Sequence, residues 1–432
     1  MAKNLELYIH IPFCVRKCSY CDFLSFPADE KTQEEYTKAL IREIRYYGPL
    51  MRDRVVSTVY IGGGTPSWLK PARMQEILSA VFAQFRVERT AEISMECNPG
   101  TVTRESVADY FSAGINRLSI GLQSADDAEL KLLGRIHTFD QFAKTYEMAR
   151  NAGFQNINVD LINGLPYQTA EKFLPTLRTV IRMQPEHISA YSLIIEKGTP
   201  FYEQYKFDAV RQEAGMPTEI LPTEDEAYRI YKVTQSVLKE NGYIQYEISN
   251  YAKPGYECRH NIGYWCREDY LGLGLGASSL IDNIRYTNLS DLYSYIQLSE
   301  EISVKELSYE QEENEGYAAE GEQKELPPNT AFWEVEKKKI EKKVLGTTLH
   351  ESGQQLSRKE QMEEFMFLGL RMTEGVSRDA FLKCFHTPIE AVYRDVLEEL
   401  KGEELLRVHA GRVFLTDKGL DLSNYAMAKF LL

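Results

Sequence analysis

The chain has 432 residues, of which 43% are hydrophobic, and it carries a formal net charge of -14. A chain of this length can bury a large core and is expected to form two or more domains. Phosphate binding needs clustered Lys and Arg, so the acidic balance argues against nucleic acid as a main partner. The N-terminus lacks the apolar stretch of a signal peptide, and no apolar run approaches the roughly 20 residues of a spanning helix. We therefore expect a soluble, cytoplasmic protein.

Short apolar, β-rich runs alternate with segments of helical period through the first half of the chain. The predicted strands cover residues 5–11, 57–61, 92–96, 117–122, 156–161 and 187–195. The clearest predicted helices cover residues 34–47, 71–85, 104–113, 139–152 and 169–183. Alternation at this spacing indicates βαβ units around a parallel sheet. Six units fall short of the eight of a closed barrel, so the predicted fold class is α/β, with a partial (β/α)6 barrel.

Three of the seven cysteines lie in one short loop directly after the first predicted strand. Cys14, Cys18 and Cys21 have the spacing C-x3-C-x2-C. Three thiolates in such a loop can bind three irons of a [4Fe–4S] cluster and leave the fourth iron open to another ligand. A zinc site normally needs four protein ligands, and a disulfide framework does not suit a large chain with an odd cysteine count. Chance clustering of structural cysteines is the remaining alternative.

Other informative residues follow later predicted strands. The run Gly-Gly-Gly-Thr-Pro at 62–66 can bring backbone N–H and C=O groups close to a ligand, although a tight turn alone would also use it. Asp160 lies within an apolar strand, where a carboxylate needs a partner. We expect it to meet Arg135 or a polar ligand, and a structural ion pair is the alternative. Alternation places Tyr8 and His10 on one face of the first strand, toward the barrel interior.

These motifs together resemble known families. The cysteine loop resembles that of the radical S-adenosylmethionine (SAM) superfamily, in which the open iron binds the amino and carboxylate groups of SAM. The runs YIHIPFC (8–14), GGGTP (62–66), NRLSIGLQ (116–123) and DLINGLP (160–166) resemble the oxygen-independent coproporphyrinogen III oxidase family. The resemblance implies a [4Fe–4S] cluster on the three cysteines and SAM contacts at further positions. These are Tyr8, Tyr20, Gly63, Gly64, Thr65, Glu96, Gln123, Arg135 and Asp160, with Ile194 a looser match.

Two departures separate the chain from the oxidase itself. The oxidase carries another cysteine two residues after the third cluster cysteine, where this chain has Phe23, and it has a longer N-terminal arm. Both differences match the branch of the same family that is formed by haem chaperones. The resemblance to that branch implies a protein that binds haem and transfers it to acceptor proteins. A radical-SAM oxidoreductase that acts on a porphyrin is the alternative.

The haem-chaperone branch also has an H-N-x-x-Y-W motif, which is present here at residues 260–265. The imidazole of His260 can be an axial haem ligand, and the aromatic rings of Tyr264 and Trp265 offer a flat surface to a macrocycle. The alternative is a His–aromatic cluster that packs one domain on another. Cys258 and Cys266 flank the motif and could ligate or attach haem, or be small core residues.

Two later stretches carry no chemistry in our interpretation. Gly272, Gly274 and Ala277 fit a dinucleotide-binding pattern, but no strand of a βαβ unit precedes them, so we expect a close-packed glycine strand. Residues 300–357 are rich in charged residues and are predicted to form a partly disordered insertion.

The C-terminal part is predicted to be a helical module with two β-rich runs. Its arrangement resembles a winged helix without a basic recognition helix, so we expect it to pack on the barrel or on a partner. The predicted regions are a radical-SAM partial barrel (1–205), a barrel extension with the H-N-x-x-Y-W motif (206–299), the insertion (300–357) and the winged-helix-like domain (358–432). Expected partners are haem and haem-accepting proteins, respiratory ones among them. The sequence leaves peripheral membrane contact and a homodimer open.

Overall fold

The computed structural model describes residues 2–302 and 347–432. The first six strands are β1 (Lys3–Ile11), β2 (Arg54–Gly63), β3 (Val87–Cys97), β4 (Arg117–Gln123), β5 (Ile157–Asn163) and β6 (His187–Ser192). Each pairs in parallel with the next. The helices between them are α1 (Glu30–Leu50), α2 (Pro71–Gln84), α3 (Arg104–Ser112), α4 (Asp127–Leu132), α5 (Phe139–Ala152) and α6 (Ala170–Met183). All six predicted strands and all five predicted helices are present, and α4 was not predicted.

Local chemistry explains where these helices begin and end. The side chain of Thr138 accepts a hydrogen bond from the backbone N–H of Gln141, and the Gln141 side chain bonds back to Thr138, which caps α5 at its start. The same helix ends at Gly153, whose φ of 110° is a left-handed conformation that glycine adopts without strain. Thr103 and Ser106 form an equivalent box at the start of α3. These signals fix the helix bounds within a residue or two of the predicted ones.

The two faces of the parallel strands differ in character. Leu7, Ile9 and Ile11 of β1 are fully buried in the apolar core shared with α1 and α2. The opposite face, which we call the inner face, is polar, and the strand register arranges its residues in rows. These rows are Glu6, Thr58 and Glu92, then Tyr8, Tyr60, Ser94 and Arg117, then Glu96, Ser119, Asn158 and His187. The predicted alternation of β1, with Tyr8 on the polar side, is confirmed.

The sheet continues beyond the six predicted strands on both sides. The further elements are α7 (Pro200–Glu213), α8 (Glu224–Glu240), β7 (Ile244–Gln245), β8 (Asn250–Ala252), α9 (Arg259–Trp265), β9 (Tyr270–Leu273), β10 (Ser278–Ile281), β11 (Ile284–Asn288), α10 (292–302) and β12 (His350–Gln355). Over the described residues the sheet has 12 strands in the order β12-β11-β10-β9-β1-β2-β3-β4-β5-β6-β8-β7. The six predicted strands are therefore only the central part of the sheet.

Two predictions for this region can be compared with the structure. A Cβ added at Gly272 would lie 2.2 Å from the backbone oxygen of Ser278, so the glycine run is a close-packed strand and turn, as predicted. The predicted insertion at 300–357 lies mostly outside the described residues, at 303–346. Its last part is ordered, because β12 pairs with β11 in antiparallel register.

The C-terminal region has a small sheet and a core of its own. Its elements are α11 (Arg358–Gly369), β13 (Val376–Ser377), α12 (Arg378–Phe385), α13 (Ile389–Gly402), β14 (Leu406–His409), β15 (Arg412–Leu415), α14 (Asp417–Asp421) and α15 (Ser423–Ala428). The three strands are antiparallel in the order β13-β15-β14. The Glu364 carboxylate joins this region to the main sheet, because Arg267 and Arg285 both donate to it, at 2.9 and 2.5 Å.

Candidate functional site

The cysteine loop leaves the carboxyl end of β1 and returns beside it. The backbone N–H of Phe26 donates to Pro12 O over 2.9 Å, and the N–H of Cys14 donates to Phe26 O over 3.1 Å, which closes the loop at its base. Cys14 is buried, whereas Cys18 and Cys21 are half-buried, and all three are free thiols. The loop therefore presents three sulfur atoms from a fixed base at the carboxyl end of the sheet, where ligand sites of parallel sheets are found.

The glycine run packs directly against this loop. The backbone N–H groups of Gly64 and Thr65 donate to Ile11 O and Phe13 O, both over 2.8 Å. A Cβ at Gly64 would lie 2.8 Å from the oxygen of Phe13 and 3.1 Å from Sγ of Cys14, so a side chain there would displace the loop. Gly64 is thus required by close approach of two backbone segments, which places the glycine run beside the cysteine loop.

Two side chains from later connecting segments donate to the cysteine sulfurs. Thr65 Oγ1 lies 3.4 Å from Cys14 Sγ, and a guanidinium nitrogen of Arg135 lies 3.5 Å from Cys18 Sγ. Thiolate is the form of cysteine that binds iron, and hydrogen-bond donors and a nearby cation favour it. Within the described residues Arg135 Nε is buried and has no hydrogen-bond partner, so the guanidinium still has a donor to offer in this site.

Asn98 connects these two donors, and the sequence interpretation did not select it. Its Nδ2 donates to Thr65 Oγ1 over 2.7 Å, and its Oδ1 accepts from Arg135 over 2.7 Å. Asn98 is the first residue after β3, and Glu96 lies next to the last residue of the same strand. Its position at the carboxyl end of a parallel strand is therefore the sequence signal that could have identified Asn98.

Glu96 and Asp160 are half-buried carboxylates on the inner face. Glu96 accepts hydrogen bonds from Tyr60 OH and from Gly63 N, both over 3.1 Å. Burial, with a contribution from the charge of Asp160, raises the pKa of Glu96 to about 8. Burial also raises the pKa of Asp160, which accepts from Ser119 Oγ at 2.8 Å and Asn158 Nδ2 at 2.7 Å.

The expected contact between Asp160 and Arg135 is wrong. Arg135 donates instead to Asn98, to the backbone oxygen of Gly121 at 2.8 Å and to the Cys18 sulfur. Both partners of the Asp160 carboxylate are neutral side chains, because its strand directs it toward Ser119 on the neighbouring β4. The polar-ligand alternative for Asp160 stays a prediction.

Tyr8 acts together with His10, a residue that the sequence interpretation placed on the same face but not in the site. Tyr8 OH and His10 Nδ1 are 3.0 Å apart, and His10 Nε2 is 2.9 Å from Leu24 O. A carbonyl oxygen only accepts, so Nε2 carries the proton and Nδ1 accepts from Tyr8. His10 thereby ties β1 to the segment that follows the third cluster cysteine. Burial raises the pKa of Tyr8 and lowers the pKa of His10.

The remaining predicted residues differ in how they join the site. Gln123 is buried and has a φ of 74°, and a Cβ at Gly121 would lie 3.0 Å from its Nε2. Tyr20 lies within the cysteine loop and packs against Phe201, with ring centroids 6.4 Å apart. Ile194 is 69% exposed beyond the end of β6, and no contact of the described residues joins it to the cysteines.

His260 lies away from the cysteine loop, under the first row of the inner face. Its side chain is 1% exposed, Nδ1 is 2.7 Å from Thr58 Oγ1, and its ring stacks on Tyr60 with centroids 5.1 Å apart. Burial lowers the pKa of His260 to about 3, so the imidazole is neutral. Cys258 is buried beside it, whereas Cys266 is exposed. The packing alternative describes this geometry, and no haem reaches His260 while α9 stays in place.

The cysteine site fits an iron–sulfur cluster better than a single metal ion. No three His, Cys, Asp or Glu side chains in the described part of the chain converge as they would on one ion. A [4Fe–4S] cluster takes one thiolate for each iron, so its cysteines are spread around the cluster. Three free thiols, two directed donors and the unpaired Arg135 Nε are consistent with such an anionic group.

No helix in residues 2–302 or 347–432 has the length and apolar character needed to cross a membrane.

Comparison with known proteins gives consistent matches. Residues 8–180 match the family model "Radical SAM superfamily", and residues 356–422 match "HemN C-terminal domain". The chain is 34% identical to the heme chaperone HemW of Lactococcus lactis over 432 residues, which cover 100% of this chain and 98% of that protein. It is 31% identical to the heme chaperone HemW of Bacillus subtilis, with 98% of each chain covered.

A solved structure shows the same fold. Coproporphyrinogen III oxidase (HemN) from Escherichia coli, a radical SAM enzyme, superposes with a TM-score of 0.76 over 99% of this chain and 90% of that one. The two sequences are 23% identical, so this likeness concerns the fold alone.

Proposed function

This chain belongs to the HemW family of heme chaperones, within the radical SAM superfamily, and from that premise we propose that it binds haem and passes it to acceptor proteins. The observation that carries the cofactor part of the proposal is the set of donors around the cysteine loop. Thr65 and Arg135 each direct a donor at a cysteine sulfur. The family of the chain supports the haem part.

In this proposal Cys14, Cys18 and Cys21 hold a [4Fe–4S] cluster, and SAM binds beside it. When bound, the cluster supplies an open iron that takes the amino and carboxylate groups of SAM. The proposed SAM contacts are Tyr8, Tyr20, Gly63, Gly64, Thr65, Glu96, Gln123, Arg135 and Asp160, with Ile194 at the margin. Glu96 and Asp160 supply carboxyl oxygens that would accept hydrogen bonds from an ammonium group, and the charge of that group would favour their ionised form. Arg135 supplies a cation near the cysteines. The role of Glu96 is thus to orient a bound amine.

The proposal includes a more detailed description of the fold. We infer that β1 to β6 with their helices form a partial (β/α)6 barrel, with the cluster loop at its carboxyl end. The helices and three-stranded sheet after residue 357 would be its winged-helix-like module. The partners of the whole protein would be haem-accepting proteins, with respiratory enzymes among them.

His260 is the proposed protein ligand of the haem iron. The support comes from the imidazole itself, which is neutral and has Nε2 free of any hydrogen bond within the described residues. Neutral imidazole is the form that ligates haem iron. Tyr264 packs against the His260 ring at a centroid distance of 4.6 Å and would contact the macrocycle next to the ligand.

Haem titration tests this assignment. The variant His260→Ala should lower haem affinity and shift the Soret band, because the iron loses its axial ligand. His409→Ala removes an exposed imidazole from β14 and serves as the matched control. An unchanged affinity and spectrum for His260→Ala would exclude the ligand role.

The alternative is a radical-SAM oxidoreductase that decarboxylates coproporphyrinogen III, because the motifs at 8–14, 62–66, 116–123 and 160–166 resemble the oxidase family. Phe23 stands where the oxidase has a further cysteine, which speaks against it. Anaerobic, cluster-loaded protein with SAM, dithionite and coproporphyrinogen III separates the two functions. The chaperone proposal predicts stable haem binding without turnover, and formation of protoporphyrinogen would establish the enzyme.

A further inference from the structure

Helix α9 packs between the inner face of the sheet and the C-terminal region, and both contacts leave polar atoms unpaired. On the side of the sheet, His260 Nε2 and Glu6 Oε2 are buried without a hydrogen-bond partner among the described residues. The two side chains face each other, since Glu6 Oε2 is 3.8 Å from His260 Nδ1. In the docked position neither atom has a hydrogen bond to replace the one that water would provide.

The other side of α9 has the same character. The guanidinium of Arg371 lies over the Trp265 ring, 4.3 Å from its centroid, and 3.8 Å from the Glu247 carboxylate. Trp265 Nε1, Arg371 Nε and Glu247 Oε2 are all buried without a hydrogen-bond partner within residues 2–302 and 347–432. Five buried polar atoms without a hydrogen bond therefore lie in or against a helix of seven residues. Buried groups of this kind destabilise the packed state relative to one in which they are hydrated.

One carboxylate holds the start of the helix. Glu92 on β3 accepts hydrogen bonds from the thiol of Cys258 at 3.4 Å and from the backbone N–H groups of Arg259 and His260 at 3.0 and 3.4 Å. Gly255 on one side of α9 and Arg267 on the other have positive φ, 85° and 56°. Two further bonds hold the same end, since Arg259 donates to Thr90 O at 2.8 Å and His260 Nδ1 is 2.7 Å from Thr58 Oγ1. At the other end Arg267 donates to Glu364 at 2.9 Å. The helix thus lies between two turns about which it can rotate once these bonds are released.

We propose that α9 undocks as a unit from the sheet and the C-terminal region, and that haem reaches His260 Nε2 in this undocked state. The proposal rests on the proposed function, in which His260 binds haem. It explains why a ligand with a 1% exposed side chain belongs to a haem-binding motif. In this proposal the hydrogen bonds that Glu92 accepts from the start of α9 determine how often the helix undocks.

Thiol labelling of the full, cluster-loaded chain measures the undocking. Cys258 and Cys97 are both buried, at 0% and 2% exposure, but only Cys258 caps α9, whereas Cys97 belongs to β3. The exposed Cys266 and Cys384 are replaced by Ser, and the three loop cysteines are protected by the bound cluster, which leaves these two as the reporters. If α9 undocks on its own, a maleimide should label Cys258 at least about tenfold faster than Cys97. Equal rates would mean that α9 opens only with the whole sheet and would overturn the proposal.

The variant Glu92→Gln connects the opening to haem. The amide of Gln is a weaker hydrogen-bond acceptor than the Glu92 carboxylate, so α9 should undock more often in this variant. The rates of Cys258 labelling and of haem association should then increase by the same factor. Glu76→Gln, on the exposed face of α2, is the control. Faster labelling with unchanged haem association would overturn the route to His260. The failure of the proposed function is distinguishable, because it appears as unchanged haem affinity in His260→Ala, whatever the labelling rates are.

Discussion

Asn98 holds the side chain of Thr65 in place, with Nδ2 donating to Thr65 Oγ1 over 2.7 Å. The other end of the same amide accepts from Arg135 over 2.7 Å. Since Thr65 and Arg135 each donate to a cysteine sulfur, one amide orients both donors. The surroundings of the three cysteines thus depend on a residue outside the cysteine motif.

The variant Asn98→Leu should weaken cluster retention. Leucine has a similar size but leaves the Arg135 donor and the Thr65 acceptor unpaired, at a cost of about 1–3 kcal/mol. Release of iron to a chelator under anaerobic conditions measures the effect and should be several-fold faster than in the parent protein. Asn151→Leu, at an exposed position near the end of α5, controls for the change of residue type. Release at the parent rate would contradict the orienting role of Asn98.

Each of the three loop cysteines should be needed for the cluster. Replacing Cys14, Cys18 or Cys21 by Ala removes one of three thiolate ligands, so iron and sulfide content after anaerobic reconstitution should fall to a small fraction of the parent value. The exposed Cys384 on α12 lies in the C-terminal region, and Cys384→Ala should reconstitute normally. Normal iron content in any of the three loop variants would rule out the assigned ligand set.

Gly64→Ala should disturb the cysteine loop without a general loss of folding. The added Cβ would meet the oxygen of Phe13 at 2.8 Å, and overpacking of this kind costs about 1–3 kcal/mol. Cluster content and thermal stability should both decrease. Gly402, at the end of α13, has nothing within 4 Å of an added Cβ, so Gly402→Ala should leave both unchanged. Equal behaviour of the two variants would contradict the close approach at Gly64.

Glu6 predicts a pH dependence of stability. Burial raises its pKa from 4.5 to about 9, so the folded chain holds this proton more tightly than the unfolded chain. Its contribution favours folding fully below the unfolded pKa and is lost as the pH rises toward about 9. Glu6→Gln keeps a neutral group at every pH. The free energy of unfolding of this variant should therefore fall less steeply with pH, by up to about 1.4 kcal/mol per unit.

Urea unfolding at several pH values between about 6 and 9 measures this slope. Glu147→Gln changes an exposed glutamate of α5 and should keep the parent slope. Parallel curves for Glu6→Gln and the parent protein would show that Glu6 is not protonated in the folded state.

Much of the fold could be predicted because its signals are local. The alternation of Leu7, Ile9 and Ile11 with Tyr8 and His10 predicts two faces of β1, and the structure has them. β12 could not be predicted, since its sequence is polar and exposed and its assignment depends on pairing with β11. Pairing between distant segments leaves little trace in composition.

The candidate site divides in the same way. The family resemblance selects Glu96 and Thr65, and both lie at or just after the carboxyl ends of neighbouring parallel strands, which meet at one edge. The depth of His260 could not be predicted, because it depends on how α9 packs under Thr58 and Tyr60. The contact of Arg135 with Cys18 instead of Asp160 depends on backbone geometry between β4 and α5 that residue types do not specify.

Helix α1 supports the chain on both sides of residues 303–346. Arg42 donates to Ser299 at 3.2 Å, and Tyr47 bonds to His350 at 2.6 Å. Ile302 and Leu349 are buried in the same core. Ile302 and Leu349 are therefore both held against α1, as is β12 through His350. A change in α1 would thus reach α10 and β12 together, although they are distant from it in the sequence.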